Sequence, residues 1–137
     1  MEKTNIQAIL IDLNTFYWMK YNYEYKKLKD STRKENKQFD MIHIEGILDI
    51  CMASVLSHIS QSQNNRIVIY RYDEAEVKMV FPLDDIDNAY IEMLSFGEIK
   101  KIVAQRIIQY MITKEFCENP FSRIIEVISK ALCFINK

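Results

Sequence analysis

The sequence predicts an α/β fold: a short central sheet of about three strands, including an antiparallel hairpin, flanked by helices in a three-layer arrangement. Three observations carry that prediction. Residues 6–11 form an apolar run interrupted only by Gln7 and ended by the carboxylate of Asp12, the pattern of a parallel strand buried on both faces beneath helices. Residues 66–81 gather β-branched and aromatic residues around a short polar turn, as in a hairpin. Elsewhere apolar residues recur at three-four spacing, the period of a helix with one face on a core.

At 137 residues the chain has room for one core, so residues 1–137 are expected to form a single domain. The 18 Lys and Arg nearly balance the 19 Asp and Glu, which argues against nucleic-acid binding through bulk charge. With only Gly46 and Gly97, there is no glycine-rich loop to cradle phosphate, which excludes a P-loop or dinucleotide fingerprint. Cys51, Cys117 and Cys133 are odd in number, far apart and set in apolar helical patterns; reduced core thiols of an intracellular protein are expected. No apolar run approaches the roughly 20 residues of a membrane span.

After the first strand, residues 19–40 are crowded with Lys, Glu, Tyr and Asn and read as a long solvated, flexible loop. Asp40 is the expected N-cap of a first helix whose buried face holds Ile44, Ile47, Leu48, Cys51, Met52, Val55, Leu56 and Ile59. Residues 66–72 are the second strand, Asp73, Glu74 and Ala75 the turn, and Pro82 closes the third strand. A weak helical pattern spans residues 85–94, where Asp84, Asp85 and Asp87 complement a helix start. Residues 98–116 predict a helix with Ile99, Ile102, Val103, Ile107, Tyr110 and Met111 on one stripe, ended by Asn119-Pro120. A last helix over residues 121–135 is expected to bury Ile124, Val127, Ile128, Ala131, Leu132 and Ile135.

Ligands of open α/β sheets sit at the carboxyl ends of parallel strands, which singles out Asp12 and Asn14. Neither His43 nor His58 has a Ser or Cys partner at a hydrolytic spacing. A dehalogenase-type phosphatase needs a second Asp as general acid where Asn14 stands. A metal site of the Asp-x-Ser-x-Ser type needs hydroxyl oxygens where Asn14 and Phe16 stand, so Asp12, Asn14 and Phe16 read as a degenerate metal site. The run IDLNTF also fits the opening of PIN-type ribonucleases, which hold divalent metal with several carboxylates; Glu45, Asp84, Asp85, Glu115 and Glu118 are the further candidates.

Three separated segments, AILIDLNTFYW, NNRIVIYRYDEAEVKMVFP and SKALCFINK, resemble the thirty-four-kilodalton subunit family of the general transcription and DNA repair factor TFIIH. That family's N-terminal part is a von Willebrand A-like, Rossmann-like domain. Leu13 and Thr15 depart from its usual Thr and Pro, and the Lys-rich stretch before the first helix is an insertion. The resemblance implies a non-enzymatic nuclear scaffold subunit acting in transcription initiation and nucleotide excision repair. It implies pairing with the larger von Willebrand A-like subunit, with neither membrane nor direct nucleic-acid contact. The family's zinc module has no counterpart here, so no cofactor is expected in this chain. Residues 1–137 are accordingly expected to be a partial domain, leaving Ala8 to Ile11 as an open sheet edge.

Overall fold

The apolar run after Asn5 forms strand β1 (Ile6–Asp12), and it pairs with β2 (Arg66–Tyr72) in parallel, Ile6 opposite Arg66 and Asp12 opposite Tyr72. The computed structural model describes residues 5–18, 37–62, 64–82 and 94–136, with side chains of the first long helix described from residue 45. The weak helical pattern at residues 85–94, with Asp84, Asp85 and Asp87, and the side chain of His43 fall almost wholly outside them; so do residues 19–36 of the expected loop. A parallel pair needs a crossover, and helix α1 (Lys37–Gln61) supplies it. The helix starts upstream of Asp40, which therefore lies within its first turns instead of capping it. Lys37 and Gln38 are straight-chain residues that lose little freedom in a helix, so the polar end of the expected loop can join it.

The hairpin forms as its sequence indicates. Strand β3 (Val77–Phe81) runs antiparallel to β2, with Arg71 opposite Lys78 and Tyr72 opposite Val77, and a register shift lies between Ile69 and Tyr70. Asp73 makes the turn, its Oδ1 accepting the N–H groups of Ala75 at 2.8 Å and Glu76 at 2.9 Å. The sheet order is β1-β2-β3, so β2 takes the central seat. Residues 67–72 are all buried, whereas in β1 only Ile11 is. The expectation that the first strand is buried on both faces is thus corrected: its second neighbour is missing among the described residues.

Alternation along the strands divides the core in two. Ile67, Ile69 and Val80 meet Leu48, Met52 and Val55 of α1 and Ile99, Val103, Ile107 and Met111 of helix α2 (Phe96–Thr113). On the opposite face Val68, Tyr70, Tyr72 and Val77 meet Val127 and Ala131 of helix α3 (Ile124–Ile135), with Ile6, Ala8 and Leu10 at the border. Ser95 caps α2, accepting the Glu98 N–H at 3.2 Å.

Three burial expectations are corrected. In α1, Ile47 and Leu56 are exposed, because three residues suffice to fill the space above so narrow a sheet. In α3 only Val127 and Ala131 are buried; Ile124, Ile128, Leu132 and Ile135 are exposed. Cys133 is exposed too, and all three cysteines are free thiols. No described helix is long and apolar enough to cross a membrane.

Replacing Ile107, which is fully buried, by Ala is expected to cost about 3 kcal/mol. The same change at Ile112, on the exposed side of the same helix, is expected to cost less than about 0.5 kcal/mol. Urea unfolding of the two variants checks the layer assignment.

Candidate functional site

Asp12 ends β1, and the chain turns at once into a helical turn over residues 15–18. Asp12 Oδ1 accepts the Asn14 N–H at 2.9 Å and the Ser122 hydroxyl at 2.9 Å. Asn14 is fully buried; its Nδ2 donates to the Asn119 carbonyl at 2.9 Å and to Ser122 Oγ at 3.2 Å. Its Oδ1 accepts the Phe16 N–H at 2.9 Å. Asn14 therefore uses its donor and its acceptor within the fold, as a buried amide must.

Thr15, equally buried, donates to the Glu115 carbonyl at 2.9 Å and accepts the Cys117 N–H at 2.8 Å. The Tyr17 hydroxyl donates to the Pro120 carbonyl at 2.9 Å, and Trp18 Nε1 donates to the Asp12 carbonyl at 2.8 Å. Phe16 has no oxygen to offer and stacks on Phe116, ring centroids 6.4 Å apart. Residues 12–17 and 115–122 are thus clasped together over the carboxyl end of β1. This clasp explains why α2 stops at Thr113 instead of running to the Asn119-Pro120 break: Thr15 engages backbone groups of Glu115 and Cys117 that a longer helix would have used.

Of the other carboxylates weighed for a metal, Glu45, Glu115 and Glu118 are exposed, and Glu115 offers the clasp its carbonyl, not its side chain. Asp84 and Asp85 lie outside the described residues. His58 sits on α1 with Nε2 3.1 Å from the Asn5 carbonyl. Among the described residues no group of three or more His, Cys, Asp and Glu is placed to hold a metal ion.

A second polar cluster, at the end of β2, was missed by the sequence reading, which saw in Asp73 only a turn residue. Asp73 is completely buried. Its Oδ2 accepts the Tyr110 hydroxyl and, at 2.8 Å, the Lys114 ammonium, which also reaches Glu74 Oε1 at 2.6 Å. The Arg71 guanidinium lies over the Tyr110 ring, 3.5 Å from its centroid, and its Nη1 forms an ion pair with Glu76 at 3.0 Å that lacks hydrogen-bond alignment. Tyr110 lies in the last turn of α2 and Lys114, four residues on, is its C-cap, so both side chains reach the same end of the hairpin. That spacing was the only available sign.

Burial alone would raise the Asp73 pKa, but hydrogen bonds from Lys114, Tyr110 and two backbone N–H groups hold it below the usual carboxylate value. Tyr110 is pushed up to about 12, first by burial and then by its bond to the Asp73 carboxylate. Lys114 is held above its usual value; burial opposes this, and its bonds to Asp73 and Glu74 outweigh it. Such a cluster, in which the Asp73 carboxylate, the Tyr110 hydroxyl and the Lys114 ammonium are all engaged, is a fastening between hairpin and helix. Asp12 and Asp73 end neighbouring strands but turn to different layers, Asp12 to the segment leading into α3 and Asp73 to α2.

Replacing Lys114 by Met strands a buried carboxylate and is expected to cost about 3 kcal/mol in urea unfolding. Because the Asp73 pKa is depressed, its contribution is complete above the ordinary carboxylate range and is lost as pH falls through the lowered value. Tyr110 and Lys114 are raised, so their contributions hold below their unfolded values, about 10, and fade as pH rises through the folded ones. The melting temperature is therefore expected to fall in acid below about pH 4 and in alkali above about pH 10, with Asp73→Asn removing part of the acid limb. Separately, Thr15→Val leaves the Glu115 carbonyl and Cys117 N–H unpaired; a cost of about 2 kcal/mol and faster hydrogen exchange at Cys117 are expected.

No protein-family model matches the chain, and no curated protein matches it.

Proposed function

We propose that this chain is a non-enzymatic structural subunit of the TFIIH core complex, with a von Willebrand A-like domain that works through protein–protein contact. On this reading it serves RNA polymerase II transcription initiation and nucleotide excision repair in the nucleus, held chiefly by the larger von Willebrand A-like subunit. One structural observation supports the non-catalytic half: the strand end where such a domain would hold a metal is filled by the chain's own residues 115–122, with Asp12 and Asn14 both committed to them. The identity of the complex rests on the resemblance of the three segments quoted above. The βαβ unit with its antiparallel third strand is compatible with it.

The second reading is a PIN-like, divalent-metal-dependent ribonuclease using Asp12. It is favoured by the position of Asp12 at the end of a parallel strand. Two-metal hydrolysis needs several carboxylates converging on one point, and Asp73, the nearest in topology, is tied to Lys114 in another layer.

Copurification of the tagged endogenous protein under native conditions, followed by mass spectrometry, tests the proposal. The helicase subunits and the larger von Willebrand A-like subunit of TFIIH are expected to come with it. Recovery of the protein alone, or with RNA, overturns the scaffold reading; a manganese-dependent nuclease assay of wild type against Asp12→Ala then decides for or against the second.

A further inference from the structure

Antiparallel pairing sets Arg71 of β2 directly opposite Lys78 of β3. Opposed residues share a face of the sheet, here the one under α2, where Arg71 lies against the Tyr110 ring. Like charges placed in this way cost stability. A further cation arrives from α2, whose Arg106, Gln109 and Tyr110 stand at the three-four spacing of one helix face. These side chains line a cleft of about 460 Å³ between β3 and α2, and Met79 and Val80 give it an apolar wall.

The whole chain carries a formal charge of −1, yet the lining of this cleft holds Arg71, Lys78 and Arg106 and no carboxylate. Among the described residues Lys78 and Arg106 form no ion pair. Arg71 is more telling. Its side chain is 9% exposed and its guanidinium is stacked on Tyr110, but its Nη1 is buried without a hydrogen-bond acceptor, because the Glu76 carboxylate at 3.0 Å is out of line. A buried donor left in that state needs a reason. Opposed like charges and an unused buried donor, both at one cleft, are the kind of local conflict that a fold keeps at a functional site.

We propose that this cleft binds a small molecule carrying a phosphate monoester. A phosphate monoester is close to a dianion at neutral pH and presents three strong acceptor oxygens, which removes the repulsion between Arg71 and Lys78 and gives the guanidinium an acceptor. A planar guanidinium already held against a ring matches phosphate at two points and has little freedom left to lose. Lys78 and Arg106, both exposed, add charge at the mouth, and the Gln109 amide adds a neutral donor. The Tyr110 hydroxyl takes no part, since it donates to Asp73. Met79 and Val80 take the apolar body of the ligand. The volume lies within the roughly 300–1,000 Å³ of small-molecule sites. The cleft is on the β3 side of the sheet, away from Asp12 and from the β1 edge, so the proposal depends neither on how the sheet continues nor on the complex proposed above.

Titration of the full chain with phenyl phosphate, at constant ionic strength set with chloride, tests this when followed by nitrogen–proton correlation spectra that include the arginine side chains. Saturable shifts at Arg71 and Arg106 are expected. Benzoate, an aromatic monoanion, is expected to bind about tenfold or more weakly. Lys78→Gln and Arg106→Gln, at exposed positions, are expected to keep the wild-type circular dichroism spectrum and each to weaken phenyl phosphate binding about tenfold. The absence of saturable shifts overturns the proposal. So does equal binding of benzoate, or unchanged affinity when both substitutions are combined. Shifts at the same arginines with a phosphoserine peptide or a single-stranded oligonucleotide, and none with phenyl phosphate, assign the cleft to a macromolecule and overturn it as well.

Discussion

The Asp73 carboxylate is the constraint on which the rest of the arrangement depends. It is wholly buried, yet it turns the hairpin by accepting two backbone N–H groups, and it holds α2 through Tyr110 and Lys114. The Asp73 carbonyl then accepts the Arg123 N–H at 2.9 Å, fixing the chain just where α3 begins on the opposite face. A buried charge is costly unless paired and hydrogen-bonded, and here every element it touches contributes a donor. The group that would be most expensive to leave alone thereby sets the relative placement of hairpin, α2 and α3.

The clasp at Asp12 works beside it. Residues 114–123 must carry the chain from one layer to the other, around the carboxyl end of the sheet, and an irregular segment there has backbone groups that a helix would otherwise satisfy. Asn14, Thr15 and Tyr17 satisfy several of them at the carbonyls of Asn119, Glu115 and Pro120. The position that α/β sheets usually reserve for ligands is spent on crossing the sheet. That trade is what makes a structural role the better-supported one for Asp12 and Asn14.

The sheet is left asymmetric. Among the described residues one face has two helices and a filled core; the other has one helix, which covers β2 and only borders β1. Apolar residues at helical spacing are therefore a sound guide to helix existence but a poor guide to burial, because burial also requires something to be buried against. Ile125 is the sharpest case, 79% exposed on a helix whose Val127 is fully buried.

What the sequence determined by itself was local: the apolar run to Asp12, the β-branched strand with its Asp turn and closing proline, and the helices after residues 44, 98 and 121, since each follows from periodicity and backbone preference over a few neighbouring residues. It also fixed the chemical limits of the strand end, because Phe16 lacks a ligand oxygen and Asn14 a transferable proton in any fold. Only the tertiary structure decided that β2 and not β1 is central, that α2 yields its last turn to Thr15, and that Lys114 and Tyr110 meet Asp73. Those outcomes depend on contacts between residues far apart in the chain, 41 positions for Asp73 and Lys114 and 100 for Thr15 and Glu115, which no local pattern records.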